Sequence, residues 1–322
     1  MNSRINISNK LWAVTTFFNP AGYKTRRKNY EVFRRHLNIP LLTVYHDPDG
    51  RHELKKEDAD ILVRISDGHP MWQKERLFNL AMEHLPQECE KIAWLDCDIL
   101  FPDPQWARRL EAALDESPVV HPFRVAHRIS AEETQAGWNS ERFPTIDDTA
   151  LTEYSVVDLW QEGIPILPSR RMNPPPPGPQ RMLCGLAWGT RREISEKLPF
   201  FDGLIVGSGD AAFFSGIAEP RPSYTRPWGP PGLLKAYEDW AARAWEVVRG
   251  RVANLEGTIC TLWHGPMEGR NYGHRWKILD EHSFDPAHDL TLSPGGAWTW
   301  NSQKPNLHRA IESYFNARTE DA

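Results

Sequence analysis

A chain of 322 residues with 40% hydrophobic and 25% charged side chains can build one large soluble core, so a disordered or fibrous chain is excluded. Its formal net charge of −5 offers no general attraction to nucleic acid or an anionic membrane, leaving only a local basic groove for such partners. Four cysteines, none in a Cys-x-x-Cys pair, are too few and scattered for a disulfide framework or a zinc site, so a reducing cytosol is the default compartment.

In chain order, residues 11–18 read as a buried first strand, a run too short to cross a membrane and unlike a signal peptide. A polar loop follows, then an amphipathic helix over 24–37 with Tyr30, Val32, Phe33 and Leu37 on its apolar side. Residues 40–45 and 61–65 are the second and third strands, and the turn cluster 46–50 closes the second. Such alternation indicates an α/β sheet with parallel strands, which binds ligands at the carboxyl ends of the strands, where Asp47 falls. A helix is expected from about Pro70 to Leu85, with Leu77, Leu80, Ala81 and Leu85 as its stripe. Lys74 lies at the edge of that stripe, so it either snorkels outward or meets an anion at the helix start.

Residues 91–101 (KIAWLDCDILF) begin as a buried strand and then carry two acids one residue apart. On an extended chain Asp96 and Asp98 face the same side and suit a shared hard divalent cation; as a bare three-residue motif they equally suit loop caps. Residues 104–116 read as helix, 118–127 as strand, 129–150 as irregular and 151–162 as helix. Within 164–181, the prolines of 174–179 indicate a polyproline II excursion, either an inert loop or a cover over a cleft. Gly185 and Gly189 bracket an apolar segment where backbone can approach a ligand closely. Asp210 opens an apolar helix behind Gly207 and Gly209, as a cap or as a carboxylate offered to a substrate hydroxyl. The aromatic stripe of 235–249 is core packing first, the general expectation for the fourteen tryptophans despite their suitability for sugar stacking. His264 ends a late strand over 259–263 and is the best-placed metal-ligand histidine. Arg270, Tyr272 and Arg275 form a basic, aromatic segment, and the acidic tail after Tyr314 is expected to fray.

Asp47, Lys74, Asp96-Cys97-Asp98, Gly185, Gly209-Asp210 and His264, in that order, resemble the GT-A glycosyltransferases, whose pattern is an Asp-x-Asp metal site, a glycine loop, an x-Glu-Asp motif and a C-terminal histidine ligand. The resemblance runs from about residue 11 to 275, and Trp72-x-Lys74-Glu75 and Trp263-His264-Gly265 look like bacterial and phage members. One departure is that Gly209 stands where the motif usually carries Glu, which leaves Asp210 as the sole acid there. The resemblance implies a single GT-A (Rossmann-like) α/β domain over 1–322, with a mixed, mostly parallel sheet flanked by helices. Its halves would be about 11–128 for the nucleotide sugar and about 129–275 for the acceptor, followed by an extension over 276–322.

The activity implied is metal-dependent, hexosyltransferase-like transfer from a nucleotide sugar, UDP-sugar favoured, to a hydroxyl of a saccharide or other acceptor, with Mn²⁺ or Mg²⁺ as cofactor. Asp98 and His264, with Asp96 directly or through water, would hold the ion, while Lys74 and Arg270 clamp the diphosphate. Asp47 and the loop after Thr15 and Thr16 would contact the nucleoside; Gly185, Trp188 and Asp210 would govern sugar choice. In an inverting enzyme, the reading preferred here, Asp210 is the base. Alternatives are a phage-type transferase acting on modified DNA bases, served by basic stretches over 24–28 and 181–192, and a non-catalytic sugar-binding protein. A nucleotidyltransferase is disfavoured because no Gly-rich, basic loop follows the first strand directly. Nucleotide, sugar, acceptor and oligomeric state are not set by the sequence.

Overall fold

The computed structural model describes residues 10–146, 150–164, 182–220, 229–266, 270 and 275–321. The prolines of 174–179, Arg181 and Tyr272 lie outside them. The first half runs β1 (Leu11–Phe18), α1 (Lys24–His36), β2 (Leu41–His46), β3 (Ile61–Ile65), α2 (Lys74–Ala81), β4 (Lys91–Leu95), β5 (Ile99–Leu100), α3 (Trp106–Glu116), β6 (Val119–His121) and β7 (Val125–Arg128). The second half adds α4 (Ala131–Trp138), β8 (Leu151–Ser155), α5 (Val156–Gln161), β9 (Met182–Leu183), β10 (Ala187–Arg191), α6 (Arg192–Lys197), α7 (Gly209–Ala218), α8 (Pro231–Val248), β11 (Val252–Asn254) and β12 (Thr258–Thr261). Helices α9 (Arg275–Glu281) and α10 (Pro286–Asp289), the hairpin β13 (Leu290–Leu292) and β14 (Trp298–Trp300), and α11 (Pro305–Asn316) complete it.

The main sheet has the order β3-β2-β1-β4-β10-β6-β11. Its pairs are parallel except the two made by β10, so the expected mixed, mostly parallel α/β sheet is what forms. Strand β1 shows why: Val14 and Phe18 enter one core and Leu11, Ala13 and Phe17 the other, so the strand is apolar on both faces. A second sheet, β5-β12-β7-β8-β9, stands beside it. Among the described residues no helix is long and apolar enough to cross a membrane.

Several expected elements are corrected. Helix α2 begins at Lys74, not near Pro70, because the preceding loop spends its hydrogen bonds elsewhere: Trp72 N–H donates to the Ile205 carbonyl and Gln73 Nε2 to the carbonyls of His69 and Trp298. The expected strand over 118–127 is two strands in different sheets, broken at Pro122, which has no N–H for a ladder. Residues 151–162 divide into β8 and α5 at Ser155, whose Oγ accepts the N–H groups of Val157 and Asp158. The irregular stretch contains α4, capped by Ser130. The C-terminal tail is not frayed: Arg318 and Glu320 are buried, and the Asp321 carboxylate accepts the N–H groups of Lys24 and Thr25 at the start of α1. Reading the tail's acids as solvated missed that a helix N-terminus and Arg26 lie beside them.

Candidate active site

Strand β4 is buried throughout and ends at Leu95; Asp96, Cys97 and Asp98 then form a turn into β5. That turn removes the period-two geometry of an extended chain, and the two acids separate. Lys74 Nζ lies 3.1 Å from Asp96 Oδ1 and 2.6 Å from Asp210 Oδ2. Asp98 Oδ2 instead lies 3.0 Å from His264 Nδ1, which is also 3.1 Å from the Leu262 carbonyl. Antiparallel pairing of β12 with β5 delivers the histidine, and the Leu262 N–H donates to the Asp98 carbonyl at 2.8 Å. Four distant chain segments therefore meet at the carboxyl end of β4.

Charge in this place is strongly perturbed. Burial works against the Lys74 ammonium, but Asp210 and Asp96 more than offset it and hold its pKa well above the usual lysine value. Burial lifts the Asp96 carboxyl to about 6, with Asp210 and Asp98 adding to the rise and Lys74 opposing it. For Asp98 burial also pushes upward, yet His264, Arg26 and Arg270 hold it below the usual carboxylate range. Burial and Arg270 lower the His264 imidazole, so it is neutral near pH 7. With Nδ1 facing two acceptors, the proton belongs there and Nε2 keeps the lone pair.

Among the described residues no three His, Cys, Asp or Glu side chains are gathered as a ready-made metal site. Asp98 and His264 are nevertheless ligand types that suit a divalent cation, which usually completes its shell with water and substrate phosphate, but here they bond to each other and the imidazole would have to turn for both to hold one ion. Asp96, tied to Lys74, stands outside that pair. Lys74 likewise does not face an open diphosphate position; it bridges two carboxylates. Arg270 is buried and acts electrostatically on both Asp98 and His264.

Gly185 is where close backbone approach matters, since a Cβ there would lie 3.2 Å from Asp210 Oδ2. The next residue, Leu186, has φ +78° and accepts the Asp96 N–H at 2.8 Å; Ser208, with φ +83°, precedes α7. Left-handed non-glycine residues on both sides of Asp210 mark backbone held in place by its surroundings. Two expected contacts are corrected. Trp188 is 2% exposed, donates from Nε1 to the Cys184 carbonyl and stacks on Phe214, so it fills the core. Thr15 is fully buried and its hydroxyl donates to the Leu95 carbonyl, bracing β1 against β4.

At the carboxyl ends of β1 and β2 a small open cleft is walled by Phe18, Asn19, Tyr45, Arg51, Glu53 and Met71, among others. Asp47 shapes this cleft from within, accepting the N–H groups of Arg51 and His52 and the Nε–H of Arg64. Its carboxylate is spent on that loop, so Asp47 acts on the cleft through the loop it organises. Arg51 and Glu53 were not anticipated, because a loop's wall is set by how it folds back. Glu75 was missed too. Burial lifts its carboxyl from the usual 4.5 to about 8, Lys74 opposing and Asp210 adding to the shift. Its stabilising contribution is therefore full below pH 4.5 and lost as pH rises through about 8. Melting temperature is expected to decline across that window, and Glu75→Gln to flatten the decline; an unaltered slope in the variant would remove Glu75 as its cause.

No family model matches the chain, and no curated protein does. Among solved structures it is similar to glucosyl-3-phosphoglycerate synthase of M. tuberculosis at 10% identity and TM-score 0.41, covering 91% of this chain and 88% of that one. It is also similar to S. aureus TarS 1-349 in complex with UDP, at 11% identity and TM-score 0.38, spanning 84% of this chain and 64% of that chain. The 4-diphosphocytidyl-2C-methyl-D-erythritol synthase of Anaerococcus prevotii matches at 12% identity and TM-score 0.33, over 80% of this chain and 90% of that chain. Likeness at this level carries no information about activity, so the site's own chemistry has to supply it.

Proposed function

We propose that this chain is a GT-A-type glycosyltransferase that moves a sugar from a nucleoside-diphosphate sugar, UDP-sugar favoured, to an acceptor hydroxyl, with Mn²⁺ or Mg²⁺ bound. The observation that supports this most is the meeting of Asp98 with His264, and of Asp96 and Asp210 through Lys74, at the carboxyl end of a central parallel strand. Burying so many charges costs stability that an apolar strand end would keep, which points to use rather than to scaffolding.

In this reading Asp98 and His264 hold the cation, with Arg270 as a second positive group beside them. When bound, the ion neutralises charge gathering on the departing diphosphate. Lys74 fixes one oxygen of Asp210, whose side chain keeps 26% of its surface exposed and so has an oxygen to offer an acceptor. The acceptor hydroxyl gives its proton to Asp210 as its oxygen bonds to the anomeric carbon, and the diphosphate leaves with the electron pair of the broken bond. That step inverts the anomeric centre. The nucleoside is assigned to the cleft at the ends of β1 and β2 because that is the carboxyl side of the sheet, where α/β folds bind ligands.

Thermal unfolding with UDP, GDP, CDP or ADP, each with Mn²⁺ or with chelator, tests the donor site. A nucleotide at a hundred times its dissociation constant adds roughly 2.7 kcal/mol, a shift of several degrees. One diphosphate is expected to give that shift, only with metal, and to lose it in Asp98→Ala. No metal-dependent response to any of the four would sink the proposal.

A further inference from the structure

The mechanism above has no use for Arg26 or for the C-terminal tail, yet both reach the segments that carry Asp98 and His264. The Arg26 side chain, 17% exposed, leaves the first turn of α1; its Nη1 donates to the Phe18 carbonyl at the end of β1 at 3.2 Å, and its Nε and Nη2 donate to the two oxygens of Glu320 at 2.6 and 2.8 Å. Burial works against the guanidinium charge, while Glu320 foremost, with Asp98 among the others, holds it in place. Arg318, 4% exposed, donates from Nε to the same carboxylate at 2.5 Å and lies over the Trp72 ring, two residues before Lys74. The tail also supports the turn that carries the histidine. Gly265 has φ +90°, and a Cβ on it would stand 2.8 Å from the Glu320 Cα and 3.1 Å from the Thr319 carbonyl oxygen, so the tail backbone packs flush against the residue that follows His264.

A buried ion pair is by itself a weak source of stability, since apolar residues of similar volume often serve as well. The sign of the charges gives this one a use. An unneutralised guanidinium in a low-dielectric interior repels a divalent cation over several ångströms, and Arg26 belongs to the electrostatic surroundings of Asp98. Glu320, with no exposed surface, is the anion bonded to that guanidinium on both of its oxygens. Resting on the transferase reading and its cation, we propose that Glu320 is a positioning residue of the cation site: its carboxylate cancels the charge of Arg26 and anchors the backbone on which the His264 imidazole turns, and so sets the affinity for Mn²⁺ or Mg²⁺. Glu320 touches neither the ion nor a substrate. It acts through Arg26 and Gly265.

Opposite signs test this. Glu320→Gln, Arg26→Gln and the double change are compared with the unsubstituted chain. Mn²⁺ is titrated into each, alone and with UDP, GDP, CDP or ADP in turn, well below the melting temperature of that chain. Binding is read from the loss of the free-ion electron paramagnetic resonance signal, with ion and nucleotide in the absence of protein as the baseline. Glu320→Gln leaves Arg26 unopposed and is expected to weaken Mn²⁺ binding by about 10-fold, a loss typical of groups that stand behind metal ligands. Arg26→Gln leaves Glu320 paired with Arg318 and is expected to tighten binding by a similar factor. The double change is expected to return binding close to the native value while its melting temperature stays lowered. A purely structural pair would weaken binding in both single variants and at least as much in the double one, and that pattern overturns the assignment, as does unchanged binding in all three. If Glu320→Gln does not fold, Arg26→Gln decides: tighter binding supports the assignment, and unchanged or weaker binding overturns it. An unsubstituted chain that takes up no Mn²⁺, alone or with any of the four nucleotides, removes the cation from the transferase reading, and this inference with it.

Discussion

Replacing Lys74 with methionine is expected to lower the melting temperature by roughly 5 °C. Its ammonium is 7% exposed and stands between the carboxylates of Asp96 and Asp210, which keep 28% and 26% of their side-chain surfaces. Removing one partner from a mostly buried charge cluster leaves the others uncompensated and costs about 3 kcal/mol, and in a chain of this size each kcal/mol moves the midpoint by about 1.5 °C. The loss should shrink below pH 6, where Asp96, already lifted to about 6, takes up a proton and no longer needs the ammonium. Adding Asp210→Asn to Lys74→Met should recover part of it, because the paired changes share one interaction. Thermal melts of the three chains at pH 5 and pH 8 measure all of this. A Lys74→Met chain that melts with the native one would show that the bridge does not hold the site together.

Glu320→Gln is expected to be as damaging, although it lies in a tail of seemingly dispensable composition. Glu320 is fully buried; Arg26 Nε and Nη2 donate to its two oxygens at 2.6 and 2.8 Å, and Arg318 Nε donates at 2.5 Å. Burial pushes the carboxyl upward, yet Arg26 and Arg318 hold it at about 2, so it is ionised whenever the fold is intact. An amide in its place removes the charge to which both guanidinium groups are bonded, at a cost of roughly 3–5 kcal/mol. The folded pKa lies below the usual 4.5, so its contribution to stability is present above 4.5 and lost as pH falls through about 2. The native chain should therefore lose stability over that acid range faster than Glu320→Gln. The effect should reach the site, since the tail packs beneath Gly265, where a Cβ would lie 2.8 Å from the Glu320 Cα, one residue from His264. Equal acid transitions in the two chains would dismiss this account of the tail.

Much of the architecture was legible locally. Strands β1, β2 and β4 announce themselves because a central parallel strand is buried on both faces, which demands a short, continuous apolar run that sequence alone displays. The same logic located Asp96 at a strand end, His264 just beyond β12, and Asp210 at the start of α7. Local pattern misled where a single turn or proline changed the geometry: the acids of residues 96 and 98 do not share a face because a turn separates them, and Pro122 divides one expected strand between two sheets.

The sequence by itself determined the class of sheet, where its first strands lie along the chain and the positions of the candidate acids, since those depend on periodicity and on neighbours in the chain. Tertiary structure alone decided which charge meets which: Lys74 with Asp96 and with Asp210, 22 and 136 residues away, Glu320 with Arg26, 294 residues away, and Glu75 with the space above Gly209. It also decided that Thr15 and Trp188 are sealed in the interior rather than turned toward a ligand. Electrostatic and steric partners are set by distances of a few ångströms between segments far apart in sequence, and no local repeat or propensity records such distances.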